Sequence, residues 1–430
     1  MMKQYDSHKD SGIEWIGEIP SHWEVKPIKY LFYYTKGSQG QLLTSSYVQD
    51  NPGDYPVYSG QTENNGVLGY YNNYEFDFFN SVIFTTTVGA KFMTTKCLKD
   101  KFSLSQNCLI MIPKNDNLIS TYHYYFLTID WKYRRELVPV IIQPSLRMED
   151  IDQFYTLLPP LSEQEHIVSY LDDKTTKIDE LIQKKLRKID LLKEYRTSLI
   201  NTVVTKGLNP NVPMKDSEIE WIGEIPSHWE VVNGSRIGMY SKGNGIKKDE
   251  VTDVGNPCIR YGQIYTSYNH SVNKVISFIS DEVSSNSVSV KSGTLLITGS
   301  GELKKDIGKC IVYEGDDEVW VGGDIIILKP YDYFNPYYLT YLVNSECIRI
   351  QKELNSKGEI IVHIYQKNFY EIHFTLPPLS EQEDIVSYLD DKTSQIDKKI
   401  DIEKKKIELL KEYRQSLISN VVTGKIKVTE

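Results

Sequence analysis

No stretch of this chain is apolar over anything near the ~18 residues that a membrane-spanning helix needs. Its opening residues, MMKQYDSHKD, lack the apolar run of a secretory signal, so a cytoplasmic location is the expectation. Cysteines are few and unpaired in spacing. Cys97, Cys108, Cys258, Cys310 and Cys347 form no CxxC motif, which argues against a zinc or redox site and leaves buried, idle thiols. An excess of positive charge is also missing. The formal net charge is -9, which excludes a basic coat for nucleic acid. Local basic clusters remain compatible with it, and partners could share the neutralisation of phosphates.

Nucleotide-binding and catalytic signatures are incomplete wherever they begin. Gly308-Lys309-Cys310 resembles the end of a phosphate loop, but Leu303 stands where the first glycine belongs and Cys310 where Ser or Thr belongs. Gly299-Ser300-Gly301 lacks the third glycine of a dinucleotide fingerprint, because position 304 is Lys. Asn335-Pro336-Tyr337-Tyr338 lacks the second proline of the motif with which amino-methyltransferases hold a flipped base, and reads as a helix start. Glu302-Leu303-Lys304 has no convincing partner acid for a nuclease metal site. No catalytic residue and no metal ligand set is therefore assigned.

What is present is a long, duplicated chain. At 430 residues, with 40% hydrophobic and 25% charged residues, it has material for two or more globular domains. Its 31 tyrosines suit sheet cores, interfaces and groove contacts alike, so their number decides nothing. Residues 10–25, DSGIEWIGEIPSHWEV, return at 216–231 with one change, Gly12 to Glu218. The block LPPLSEQEHIVSYLDDK at Leu158 returns at Leu376, and 34 of 48 positions from 158 to 205 match those 218 residues later. Between these blocks, residues 32–150 and 238–368 show little mutual resemblance. One frame thus carries two unlike inserts, which is not the pattern of a short-repeat solenoid.

The second shared block has a helical period. Pro159-Pro160 breaks the preceding strand, and Ser162 with Glu165 fits a capping box that Ser380 and Glu383 repeat. Apolar or small residues then recur every three or four positions: Ile167, Leu171, Thr175, Ile178, Ile182, Leu186, Ile189, Leu192, Tyr195, Leu199 and Val203. The second copy has Ile385, Leu389, Thr393, Ile396, Ile400, Lys404, Ile407, Leu410, Tyr413, Leu417 and Val421, with Gly207 and Gly424 as terminators. Each helix would span about 40–45 residues and roughly 60–65 Å. A bare apolar stripe of that length needs a partner. The expectation is that the two helices form an antiparallel coiled coil, the alternative being that each lies on its own domain's sheet.

The inserts read as mixed α/β. Short β-rich runs at 55–60, 82–86 and 108–113, and at 258–263, 293–298, 309–313 and 324–330, are separated by Gly and Asn turns. Helices are expected at Tyr122–Tyr133 and Tyr337–Leu342. The fold class is α+β: two mixed α/β domains separated by two long antiparallel helices, in a pseudo-two-fold internal repeat.

EWIGEIPSHWEV, the LPPLSEQE block and their duplication around two dissimilar inserts closely resemble the specificity subunits (HsdS) of type I restriction-modification systems. The resemblance covers almost the whole chain. It implies target-recognition domains at 1–157 and 207–375, with spacer helices at 158–206 and 376–430. It further implies that each domain reads one half of a split double-stranded DNA target. The helices would set the gap and dock two modification (methyltransferase) subunits, with restriction (translocase and nuclease) subunits as further partners. The chain itself would be a non-catalytic subunit with no cofactor of its own. The methyl donor would belong to the modification subunits, and ATP and magnesium to the restriction subunits.

Residues that read bases belong on insert loops beside glycine-rich turns. There Arg, Lys, Asn and Gln can meet base edges or phosphates. In the first insert these are Ser59, Gln61, Lys91, Gln106, Asn107 and Arg147; in the second they are Arg260, Gln263, Lys304, Lys305, Lys309 and Lys357. Each competes with the plain alternative of surface charge without a role. Trp15, Trp23, Trp221 and Trp229, with His22 and His228, either contact partners or pin each domain to a helix end; the second suits large aromatics better. The alternatives to a recognition subunit are a self-sufficient DNA-modifying enzyme and a coiled-coil scaffold. Missing catalytic motifs oppose the first, and two unlike inserts on one frame oppose the second.

Overall fold

The computed structural model describes residues 4–61, 63–89, 91–138, 144–359 and 361–428. The chain divides into two compact units: residues 1–185 with 405–430, and residues 186–404. Two long helices, Leu161–Lys206 and Leu379–Val422, are each continuous, at 46 and 44 residues. Each gives one segment to each unit.

In the first unit a six-stranded sheet runs in the order Phe32–Thr35, Cys108–Pro113, Phe76–Thr86, Thr95–Leu104, Pro52–Tyr58, Val67–Tyr71. Only Pro52–Tyr58 beside Thr95–Leu104 is parallel. Val82, Phe84, Leu98, Phe102, Leu104, Cys108 and Ile110 fill its core. The helix Ser120–Glu136 is longer than the sequence suggested and lies on Phe76–Thr86 and Thr95–Leu104.

The second unit has two five-stranded sheets. One is ordered Gly238–Lys242, Ile325–Pro330, Leu295–Thr298, Cys310–Tyr313, Ser271–Val272. The other is ordered Val251–Thr252, Phe278–Ile279, Asn256–Ile259, Val319–Val321, Val288–Val290. The first four strands of the former repeat the first four of the sheet in the other unit. The run at 258–263 is not a continuous strand. It turns helical at Tyr261–Thr266, because Gln263 caps the turn by accepting from the Arg260 amide at 2.8 Å. Helix Pro336–Val343 is followed by a second, Glu346–Asn355, that the expected elements did not include.

The capping box is not formed. The helices start one residue before Ser162 and Ser380. The Pro160 carbonyl accepts from the amides of Glu163 (2.9 Å) and Gln164 (3.0 Å), and Pro378 does the same for Glu381 and Gln382. Gly207 (φ 71°) and Gly424 (φ 73°) close the helices in the left-handed conformation, as their sequence position suggested.

Within each unit the helical segments run antiparallel. In the first unit Asp179 meets Arg414 at 3.0 Å. In the second, Lys188 meets Glu403 at 2.8 Å and Arg196 meets Asp397 at 3.3 Å. Ile167, Leu171, Ile178, Ile182, Ile189, Ile385, Leu389, Ile396, Ile400, Ile407 and Leu417 are buried, and Leu192, Leu199 and Leu410 are half-buried. Ile385 and Leu389 also belong to the core of the second unit, with Leu339, Leu342 and Phe374. Tyr195 and Tyr413 do not lie in the seam; they are 56% and 51% exposed. The seven-residue step through Ile182, Ile189 and Val203 selects position 196, and the corresponding step selects 414. Arginines occupy both and pair across to Asp397 and Asp179. Leu186 is exposed for the same reason of phase.

Candidate nucleic-acid interface

The shared motifs turn out to be joints. Glu163, in the first turn of its helix, accepts from Trp23 Nε1 (2.9 Å) and the Tyr5 hydroxyl (2.9 Å) and meets His22 Nε2 at 2.6 Å. Burial opposes its ionisation, yet the hydrogen bonds from Trp23, His22 and Tyr5 outweigh burial and hold its carboxyl below the usual range. Glu381 repeats the arrangement with Trp229 Nε1 (2.9 Å) and His228 (2.6 Å). Trp23 also lies against Gly424, where an added Cβ would stand 3.3 Å from the ring; Trp229 lies against Gly207 at 3.1 Å. Each tryptophan therefore pins the start of one helix beside the end of the other. Trp15 binds Asp130, and Trp221 stays partly exposed.

The next residue holds the insert. Gln164 is buried, accepts from the Ile119 amide at 3.0 Å, and donates to the carbonyls of Asn117 (3.2 Å) and Pro159 (3.0 Å). Gln382 accepts from Asn335 (2.7 Å) and donates to Tyr333 (3.0 Å) and Pro377 (2.9 Å). In both units this latch fixes the entry of the helix that backs the sheet.

That frame positions a cluster of loops at one end of the first sheet. Gly60 N donates to Gln106 O (3.0 Å), Thr87 N to Asn107 O (2.8 Å), Gly89 N to Pro144 O (3.2 Å) and Leu146 N to Thr87 O (2.7 Å). All six candidates of the first insert stand on these loops. Gln61, Lys91, Gln106, Asn107 and Arg147 are exposed. Ser59 is buried and its hydroxyl accepts from the Gln61 amide, so it shapes the turn. Gln61 also donates to the Val67 carbonyl, while Lys91 offers its backbone carbonyl to Thr86 and Thr94 and leaves its side chain outside.

The second unit builds the same kind of end. Gly299 N donates to Asp324 O (2.8 Å), Ile364 N to Gly299 O (2.9 Å), and Lys357 and His363 exchange backbone bonds of 2.9 and 2.7 Å. Lys304, Lys305 and Lys357 are exposed here. Arg260 packs beside Gly322, and its buried Nε has no protein partner. Two candidates are spent inside the fold. Gln263 is buried, capping Arg260 and bonding Ser277, and Lys309 donates to the Tyr268 carbonyl at 2.7 Å. Burial lowers the Lys309 pKa. Beneath them a lysine that the sequence did not single out, Lys352, is buried and holds Gly308 O at 2.8 Å. Its burial pushes its pKa down to about 8.

The loops also contain residues that sequence patterns missed. Lys242, Ser300, Asp324, His363, Tyr365 and Lys367 line a cavity of about 390 Å³. Ser300 and Asp324 adjoin Gly299 and Gly323 in the sequence, while the other four are brought there by the fold. Among the described residues no group of three or more His, Cys, Asp or Glu side chains could hold a metal, and no helix is long and apolar enough to cross a membrane.

Comparison with known proteins gives a consistent result. Residues 20–191 and 226–412 match the family described as type I restriction modification DNA specificity domain. The type I restriction enzyme MjaVIII specificity subunit of Methanocaldococcus jannaschii is 25% identical over 432 residues, covering 95% of this chain and 94% of that one. A solved chain described under "Structural basis underlying complex assembly and conformational transition of the type I R-M system" aligns with a TM-score of 0.70 at 13% identity, over 95% of this chain and 99% of its own. The HsdS subunit from Thermoanaerobacter tengcongensis aligns with a TM-score of 0.52 at 15% identity, over 95% and 98%. At such identities these two structures speak for the fold.

Proposed function

The chain belongs to the type I restriction-modification DNA specificity family, and from that premise we propose that its two units read the two halves of a bipartite DNA target. It is a DNA-recognition specificity subunit, non-catalytic, working with modification and restriction subunits. In the proposed division, residues 1–157 and 207–375 are the recognition domains and 158–206 and 376–430 the spacers that set the gap. The methyl donor, ATP and magnesium belong to the partner subunits in this scheme.

One observation carries the reading: the same joints and the same strand frame recur in both units, while the loop side chains differ. Asn107 and Arg147 can make bidentate contacts to adenine and guanine edges, and Lys91, Lys304, Lys305 and Lys357 suit phosphates. The outer faces of the long helices offer docking sites for the modification subunits. Leu191 with Tyr195, and Leu409 with Tyr413, are exposed apolar pairs at a spacing of four.

The test is to insert one helical turn after Lys184 and map methylated sites made by the assembled enzyme. The expected result is a changed gap with both half-sites kept. An unchanged gap would refute the spacer role. Methylation by the isolated chain would refute the non-catalytic assignment.

A further inference from the structure

The two loop clusters share a backbone frame, bond for bond. Thr87 N to Asn107 O (2.8 Å) corresponds to Gly299 N to Asp324 O (2.8 Å). Leu146 N to Thr87 O (2.7 Å) corresponds to Ile364 N to Gly299 O (2.9 Å). The isolated bridge between Val88 and Ser145 corresponds to the pairing of Ser300 with His363. The next residues each begin a short helical turn. Arg147 N donates to Asp150 Oδ2 at 2.8 Å, and Tyr365 N donates to Asn368 Oδ1 at 2.9 Å. The frame therefore superposes Asn107 on Asp324, Ser145 on His363 and Arg147 on Tyr365. All six are exposed or half-buried.

We propose that these three matched positions are the specificity-determining set of each unit, and that the cavity of the second unit takes one nucleotide of its half-site. The proposal rests on the DNA-recognition reading above and deepens it. The chemistry at the three positions differs in kind between the units. Asn107 and Arg147 offer donors for purine edges, whereas the Asp324 carboxylate accepts and so suits an exocyclic amino group such as cytosine N4. His363 is held on both sides. Its Nδ1 lies 2.9 Å from Ser300 Oγ, its backbone is fixed by Lys357, and its ring stacks with Tyr365 at 6.2 Å and 18°. That fixes one ring nitrogen on Ser300 and leaves Nε2 for the ligand, with the His363–Tyr365 pair as an apolar wall. Lys242 and Lys367, also lining the cavity, supply phosphate neutralisation. The frame is close at position 299, where the first unit carries Thr87. A Cβ there would stand 3.2 Å from Asp324 O and 3.4 Å from Ile364 O.

The test uses the full chain assembled with its modification subunits. Genomic methylation mapping first defines the wild-type motif, and duplexes carrying that motif, with either half-site scrambled, serve as binding probes. Asn107→Ala and Arg147→Ala are expected to alter bases of one half-site only. Asp324→Asn, His363→Ala and Tyr365→Ala are expected to alter the other only, with the gap unchanged. Each should lower affinity for the intact motif by about tenfold or more, the usual cost of one lost base contact. Lys242→Gln and Lys367→Gln should each lower the salt slope of binding by about one without changing the motif. Should His363→Ala unfold for want of its Ser300 bond, His363→Asn and Tyr365→Ala carry the test, with the unfolding midpoint as the check. Variants that keep the wild-type motif and affinity, or that degrade both half-sites equally, overturn the proposal. A wild-type assembly that does not discriminate its motif from scrambled duplex overturns instead the recognition reading beneath it.

Discussion

Replacing Gln164 by Ala should loosen the first unit far more than an ordinary polar substitution. The side chain is 1% exposed and serves three backbone groups: the Ile119 amide and the Asn117 and Pro159 carbonyls. Each buried group left without a partner costs about 1–3 kcal/mol. With some water entering the space vacated, a total of about 3–5 kcal/mol is expected, a large share of the ~5–15 kcal/mol that holds a domain folded. Two units make a single unfolding free energy ill defined, so native-state hydrogen exchange is the better assay. About 3 kcal/mol corresponds to a ~150-fold faster exchange at Ile119 and the start of Ser120–Glu136. Gln164→Met fills the space yet leaves the same three groups orphaned, so it should recover only the packing part. Gln164→Glu should be at least as damaging as Ala, since its carboxylate would face two carbonyls. Exchange accelerated by less than ~5-fold in Gln164→Ala would refute the latch.

Other outcomes follow from particular groups. His123 is fully buried, its Nε2 has no protein partner, and burial pushes its pKa down to about 3. The folded value lies below the unfolded one. Its contribution is therefore complete above about pH 6.5 and is lost as pH falls toward the folded value, by about 2 kcal/mol between pH 6.5 and 5. His123→Leu, which copies the residue at the matching position of the second unit, Leu339, should flatten that acid slope in pH-dependent unfolding; an unchanged slope would remove His123 as its source. Burial raises the thiol pKa of Cys97, Cys108 and Cys310 to about 12 and of Cys258 and Cys347 to about 11. A thiol reagent at pH 8 should find no fast-reacting cysteine until the protein is unfolded, and one rapid equivalent would contradict this. The ion pair between Asp179 and Arg414 is half in solvent, so a double-mutant cycle should return a coupling of no more than about 1 kcal/mol that shrinks with salt. A coupling several times larger would mean that the seam is drier than its exposure suggests.

The long helices were legible because their signal is local. A period of three to four residues survives without knowledge of neighbours, and the duplication gave it twice. The error at Tyr195 and Tyr413 has a physical source. Hydrophobicity favoured tyrosine, whereas the seven-residue phase selects Arg196 and Arg414, whose charges are satisfied across the seam. The apparent capping box failed because Pro160 and Pro378 begin the helices earlier; the glutamines of that motif hold the inserts instead. Strand segments were visible as β-rich runs, but their order was not, since Phe32–Thr35 pairs with the distant Cys108–Pro113. At the candidate interface, glycine turns marked loops that the fold gathers at the sheet ends. Composition could not separate Gln263 and Lys309, which the fold consumes, from Asp324, His363 and Tyr365, which only the paired backbones bring together.

In the proposed function a common frame carries two independent readers. Replacing residues 238–368 by a second copy of residues 32–150 would give a chain with two identical inserts on the unchanged joints. Genome-wide mapping of the methylation it directs should return a motif whose two halves are the same sequence, that of the first half-site, with the original gap. A folded, assembled enzyme that still methylated the original unlike halves would contradict it.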